Sequence, residues 1–138
     1  MSDWSPEELE LKKRLEKGET IVLNSRKSGP HAHLVEWCEA QGRAVYIGRE
    51  NTRAHPRRKR SPWASPFKPG VHGDRDEVLR HYRAYLEGKE EAPKGWKSPR
   101  PDLGRLGELR GRALLCWCKP DACHGDVLAE LVKKAGRS

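Results

Sequence analysis

The sequence predicts a small three-layer α/β domain, Rossmann-like, with a short, mostly parallel sheet flanked by helices. Three observations predict it. The apolar runs TIVLN (20–24), AVYIG (44–48) and RALLCWC (112–118) read as short buried strands. Segments of helical periodicity separate them, and strands separated in this way pair in parallel through right-handed crossovers. The length, 138 residues, suits one domain with one core.

The elements follow in order. Ser5-Pro6-Glu7-Glu8 is a helix start, with Ser as N-cap, Pro in the first turn and acids beside the positive end of the helix dipole. A helix over 5–17 is therefore expected, with Leu9, Leu11 and Leu15 as a partial apolar stripe and Gly18 as its stop. After the first strand, SRKSGPHA is a polar Gly-Pro loop. Residues 33–42 read as a helix ending at Gly42. Residues 49–73 carry four prolines and no periodicity, the mark of a functional or mobile stretch. Asp74 caps a helix on which Val78, Leu79, Tyr82, Tyr85 and Leu86 share a face, and Gly88 closes it. A Pro- and Lys-rich excursion (89–101) and a short helix near 102–109 lead into the third strand, and a last helix covers about 122–135.

Composition narrows the function classes. Hydrophobic and charged residues each make up 35% of the chain, so the core is modest. No run approaches the roughly 18 apolar residues of a membrane span, and no membrane partner is expected. The charged N-terminal stretch lacks an apolar signal region, which makes a cytoplasmic location, with reduced thiols, the expectation. A net charge of +8 favours anionic partners without choosing among them.

Cys116, Cys118, Cys123 and His124 fall within nine positions. The strand delivers Cys118 to the carboxyl edge of the sheet, where open α/β sheets bind ligands, and Cys123-His124 opens the last helix. A thiolate or other anion is favoured at such a helix start. Three readings stand side by side. In one the cysteines are small buried hydrophobes and His124 is a hydrogen-bonded core residue. In another Cys116, Cys118, Cys123 and His124 bind zinc, although adjacent Cys123 and His124 have difficulty facing one ion. In the preferred reading, Cys118, Cys123, His124 and Asp126 form a ligand-binding or catalytic corner with no cofactor. Disulfides are not expected, since Cys116 and Cys118 share a strand face with only Cys123 and Cys38 to pair with.

Between 49 and 60 lie six Arg or Lys residues. A charge run of this kind is normally a solvated loop. Its functional alternative uses Gly48 for a close turn, Arg49 on a phosphate, and Arg53, Arg57, Arg58, Lys59 and Arg60 on a polyanion. In SPWASPF (61–67) the prolines impose extended geometry on the residues before them, so a defined conformation is expected.

Three pieces, VYIGR (45–49), SPWASPFKPGVHGDRDEVLRHYRAYL (61–86) and LRGRALLCWCKPDACHGDVLAEL (109–131), together resemble the uncharacterised domain of unknown function 4326 family of phages and bacteria. Its members close on Cys-x-Cys-x-Pro-x-x-Cys-His-Gly-Asp, matched here by Cys116, Cys118, Pro120, Cys123, His124, Gly125 and Asp126. The resemblance covers about 43–132, leaving the helix at 5–17 as an addition to a single domain (1–138). Ser65 stands where the family usually has Asn before Pro66-Phe67.

The resemblance implies that the three motifs converge on one site. The resulting expectation is a phage-type accessory protein, acting in the host-cell cytoplasm, that binds a nucleotide-like phosphorylated small molecule. Arg49, with Arg75 or the last helix start, would hold phosphate. Gly48, Ser65, Pro66, Phe67 and Gly125 would shape the pocket, while Cys118, Cys123, His124 and Asp126 form its floor. Catalysis is left open, because the sequence defines no nucleophile–base geometry. The alternative is a non-enzymatic module that binds nucleic acid or a host protein through the basic loop 49–60. Its Cys/His cluster would then be structural or zinc-binding.

Overall fold

In the computed structural model the described residues are 4–26, 29–48, 60–97, 99–116 and 123–135. Helix α1 (Pro6–Glu16) starts where its capping signals place it. Ser5 Oγ accepts from Glu8 N, and the Glu8 carboxylate accepts from Ser5 N in return, a full capping box. Strand β1 (Ile21–Asn24), helix α2 (Ala32–Ala40) and strand β2 (Ala44–Tyr46) follow. Helix α3 (Arg75–Leu86) opens on a second capping box, Asp74 with Glu77. Gly18 and Gly88 lie just past the ends of α1 and α3 with φ of 95° and 80°, the left-handed geometry that terminates a helix at low cost when no Cβ is present. The segment Leu103–Leu109 winds as a 3-10 helix, and β3 (Ala113–Cys116) and α4 (His124–Ala135) complete the chain.

All three strands are parallel, in the order β1-β3-β2, with Leu114 opposite both Val22 and Val45. The strand latest in sequence thus occupies the centre, and its four residues are all buried. Alternation along the strands divides the interior in two. On one face, α1 and α2 bring Leu15, Leu34, Val35 and Cys38 onto Ile21, Leu23, Ala113 and Leu115. On the other, α3, α4 and the 3-10 segment pack Tyr82, Leu86, Leu109, Leu128 and Val132 around Leu114, Cys116 and Ile47. This is the expected helix–sheet–helix layering.

β1 and β2 are shorter than the apolar runs suggest, although Ile47 N still donates to Leu115 O at 3.1 Å beyond the end of β2. The expected helix near 102–109 is the tighter 3-10 form. Seven residues with two glycines, opened by the Asp102 side chain on Gly104 N, supply too little helix propensity for a full α-helix.

The helices that follow β1 and β3, α2 and α4, pack on opposite faces of the sheet, the arrangement at which open α/β sheets form a ligand crevice beyond the strands' carboxyl ends.

Candidate functional site

Cys123 precedes the first residue of α4, and its backbone is held by that helix. Cys123 N donates to Asp126 Oδ2 at 3.0 Å, and Asp126 N donates to Cys123 O at 2.9 Å. Asp126 is thus the helix's own cap. The next donor, Gly125 N, reaches Cys123 Sγ at 3.4 Å, so the thiol sits against the amide end of the helix.

His124 is half-buried and is fixed at both ring nitrogens. Its Nε2 lies 2.7 Å from the carbonyl oxygen of Ile47, which can only accept, so Nε2 carries the proton. In the neutral ring Nδ1 is then the lone-pair nitrogen, and it lies 3.7 Å from Cys123 Sγ. The ring stands edge-on to Tyr82, 5.3 Å between centroids. Burial pushes the Tyr82 phenol well above its ordinary pKa, and neighbouring Cys123 adds to the effect. The neutral hydroxyl donates to Trp63 O at 2.6 Å.

Gly125 explains itself by space. A Cβ built on it would lie 2.8 Å from Ile47 Cδ1 and 2.9 Å from Val22 Cγ1, so the start of α4 rests directly on the sheet. Gly48 is equally confined, with a Cβ there 2.6 Å from the Tyr46 hydroxyl. The Gly48 carbonyl accepts from Ser61 N at 3.0 Å, which closes the base of the long basic loop.

The three sequence motifs therefore meet around one histidine. His124 touches Ile47 of the second strand motif, Cys123 of its own motif and Tyr82, which in turn holds Trp63. Cys116 joins them from β3, its Sγ 2.8 Å from Cys123 Sγ, with both residues only 1% exposed. The preferred reading of the sequence leaves Cys116 out of the corner. The fold makes it the immediate neighbour of Cys123.

Other candidate residues lie elsewhere. Ser65, Pro66 and Phe67 face inward. Ser65 Oγ accepts from Phe67 N at 3.2 Å, a local turn that an Asn side chain would also make. Phe67 stacks on His81 and meets His72 and Tyr85 edge-on, so it fastens the loop to α3. Arg75 sits half-buried in the first turn of α3. Arg60 is exposed and lies over the Trp96 ring at 5.0 Å. Arg49, Arg53, Arg57, Arg58, Lys59 and Cys118 lie outside the described residues, and with Cys118 so does one member of the zinc alternative.

Sequence reasoning missed the other half of the crevice. After β1, Asn24 N donates to His31 Nδ1 at 2.9 Å, and His31 Nε2 pairs with Glu7 Oε1 at 3.0 Å. Ser25 follows, its N donating to Cys116 O at 2.8 Å. The residue is only 6% exposed, and its buried hydroxyl has no hydrogen-bond partner among the described residues. A cavity of about 450 Å3 runs along the open edge of β1, walled by Glu7, Arg14, His31 and Asp126 among others. A second, of about 670 Å3, shares Arg14, Thr20 and Ala129 with it. The available signal was the loop NSRKSGPH, which follows a strand just as the Cys-His corner does.

The start of α2 offers no free anion site, because Glu8 already fills it. Its carboxylate accepts from Leu34 N at 2.9 Å and pairs with His33 at 3.3 Å. Burial pushes this carboxyl up, but the bonds from Ser5 N, Leu34 N and His33 outweigh that and hold it below the ordinary range. Among the described residues no helix is long and apolar enough to cross a membrane.

Comparison with known proteins places these features in a group. An uncharacterised 12.4 kDa protein from the nrdA-td intergenic region of Enterobacteria phage T4 is 45% identical over 38 residues. That stretch covers 28% of this chain and 35% of the relative. No solved structure matches. The profile of the family described as "Domain of unknown function (DUF4326)" matches residues 32–134, a span that starts with α2 and includes the whole Cys-His corner. The chain belongs to the DUF4326 family.

Proposed function

We propose that this protein is a phage-type accessory protein that binds a nucleotide-like phosphorylated small molecule in the host-cell cytoplasm. The binding place is the crevice where β1 and β3 part, in a Rossmann-like manner. The observation that supports this reading is the polar wall of a cavity beside β1, to which α4 contributes Asp126. Asp126, His31 and Glu7 stand on the wall of a cavity of about 450 Å3 along the edge of β1, and Ser25, just past the end of that strand, has a buried hydroxyl with no partner among the described residues. A cavity of that size falls in the range that suits a drug-sized ligand, roughly 300–1,000 Å3. Basic residues, a net +8 over the chain, favour the phosphate.

Within this reading Asp126 and Ser25 meet the ligand, Arg14 and Arg49 attract its charge, and His124 and Gly125 hold α4 in place on the sheet. The function is binding. Cys123 is too deeply buried to attack a ligand of nucleotide size, whereas Asp126 faces open space.

Thermal shift with a panel of nucleoside mono- and diphosphates tests it, since a ligand that binds only the folded state raises Tm with its concentration. At 100 times Kd the stabilisation is about 2.7 kcal/mol. Asp126→Asn and Ser25→Ala should each remove the shift, and neutralising Arg57, Arg58, Lys59 and Arg60 together should leave it. If no nucleotide shifts Tm while duplex DNA binds with a steep salt dependence that the loop variant abolishes, the reading fails. The basic-loop module then takes its place.

A further inference from the structure

We propose that Cys116 and Cys123 form a dithiol that a small hydroperoxide oxidises to a disulfide, with His124 as the proton carrier. This rests on the geometry of the corner and stands apart from the ligand reading.

Three facts set the pair apart from ordinary buried cysteines. The sulfurs are 2.8 Å apart, less than 1 Å beyond the roughly 2.05 Å of a disulfide bond, so closure needs little movement of the chain. Cys123 Sγ accepts from Gly125 N at the start of α4 and lies 3.7 Å from His124 Nδ1, the lone-pair nitrogen of the neutral ring. Ile47 O pins that tautomer and would also steady the imidazolium once Nδ1 takes a proton. Cys38 supplies the contrast. It is equally buried, against α1 and the sheet, and burial pushes its thiol up to about 11. It is a packing residue.

The chemistry balances as follows. Cys123 gives its proton to His124 Nδ1, and the thiolate attacks one oxygen of the hydroperoxide. An S–O bond forms and the O–O bond breaks. The departing oxygen takes the proton from His124 and leaves as an alcohol, or as water when the oxidant is hydrogen peroxide. The Cys116 thiol then attacks the Cys123 sulfenic sulfur. The S–S bond forms, the S–O bond breaks, and hydroxide leaves as water with the Cys116 proton. Two thiols lose two electrons in all, and one hydroperoxide gains them. With both residues only 1% exposed, the oxidant must be small. A bulky disulfide such as oxidised glutathione cannot reach Cys123 in line.

The experiment uses the reduced full-length protein carrying Cys38→Ser. Brief exposure to hydrogen peroxide, alkylation and peptide mapping should show loss of two hydrogens and one crosslink, Cys116 to Cys123. Oxidised glutathione should leave the protein unchanged. In Cys116→Ser the reaction should stop at a sulfenic acid on Cys123, trapped by dimedone. In His124→Asn peroxide consumption should slow about 100-fold, the scale of a lost proton-transfer group, with the same crosslink as product.

A crosslink through Cys118, equal oxidation by glutathione disulfide, or thiols held by stoichiometric zinc would each overturn the assignment. The wild-type peptide map decides even if a serine variant does not fold.

Discussion

Glu8 shows how much one residue can do beyond its local signal. Its place in a capping box is legible from Ser5-Pro6-Glu7-Glu8, because the box is a local pattern. Its bond to Leu34 N is not, because that contact joins residues 26 apart and depends on how α1 lies across α2. Replacing it by Gln keeps the shape and removes the charge. Glu8→Gln should cost about 1–3 kcal/mol at neutral pH, read from the denaturant midpoint, as expected for hydrogen bonds to a buried charged group. The pH dependence follows from the sign of the shift. A carboxyl held below its ordinary 4.5 stabilises the fold fully above that value, and loses this effect as the pH falls through the lowered pKa. The gap between wild type and variant should therefore close in acid. A gap that stays constant down to pH 3 would show that the charge contributes nothing. Gly125→Ala tests space in the same way. Alanine is the better helix former by about 1 kcal/mol, but overpacking against Ile47 and Val22 should reverse the sign and destabilise by about 1–3 kcal/mol.

At the level of elements, the helices were the legible part. The box at Asp74 and the apolar face of Val78, Tyr82, Tyr85 and Leu86 define α3 without help from the rest of the chain. Stretches shaped by distant partners were not. The loop 61–67 was expected to be ordered, yet the reason for its order is Tyr82 on Trp63 and His81 under Phe67, neither visible from proline spacing. The site was half legible for the same cause. Cys123-His124-Gly125-Asp126 is compact in sequence, whereas Ser25, His31 and Glu7 join it only once α1 and α2 have packed. Ser65 gives this level its test. Ser65→Ala removes the acceptor for Phe67 N and should cost about 1 kcal/mol, the usual net worth of such a bond. Ser65→Asn restores a turn-forming side chain and should stay within about 0.5 kcal/mol of wild type, as expected when the local bond is kept. Thermal or urea unfolding of the two variants separates a turn role from a contact with ligand, since the ligand role would leave both stabilities unchanged.

For the whole molecule, the central strand is the common wall of both cores. Ala113 and Leu115 face α1 and α2, while Leu114 and Cys116 face α3 and α4. Neither face can lose its packing without exposing the strand that serves the other, so the protein should unfold as one unit. Single-tryptophan variants retaining Trp37 on one side or Trp63 on the other should report the same urea midpoint. Leu114→Ala should lower both together by the equivalent of about 2–5 kcal/mol, the range for truncating a buried leucine. Two midpoints that separate would mean two independently melting halves.

The fit of α4 on the sheet also bears on how relatives of this chain can differ. Gly125 has no room for a side chain because Val22 of edge strand β1 and Ile47, just past the end of β2 at the opposite edge, both reach under it. Positions 22, 47 and 125 therefore form a triplet in which bulk can be exchanged but not added. A family member with alanine at the third position should carry smaller residues at one or both of the others. Such correlated exchange across the three positions would be the evolutionary trace of a steric contact between segments far apart in the chain.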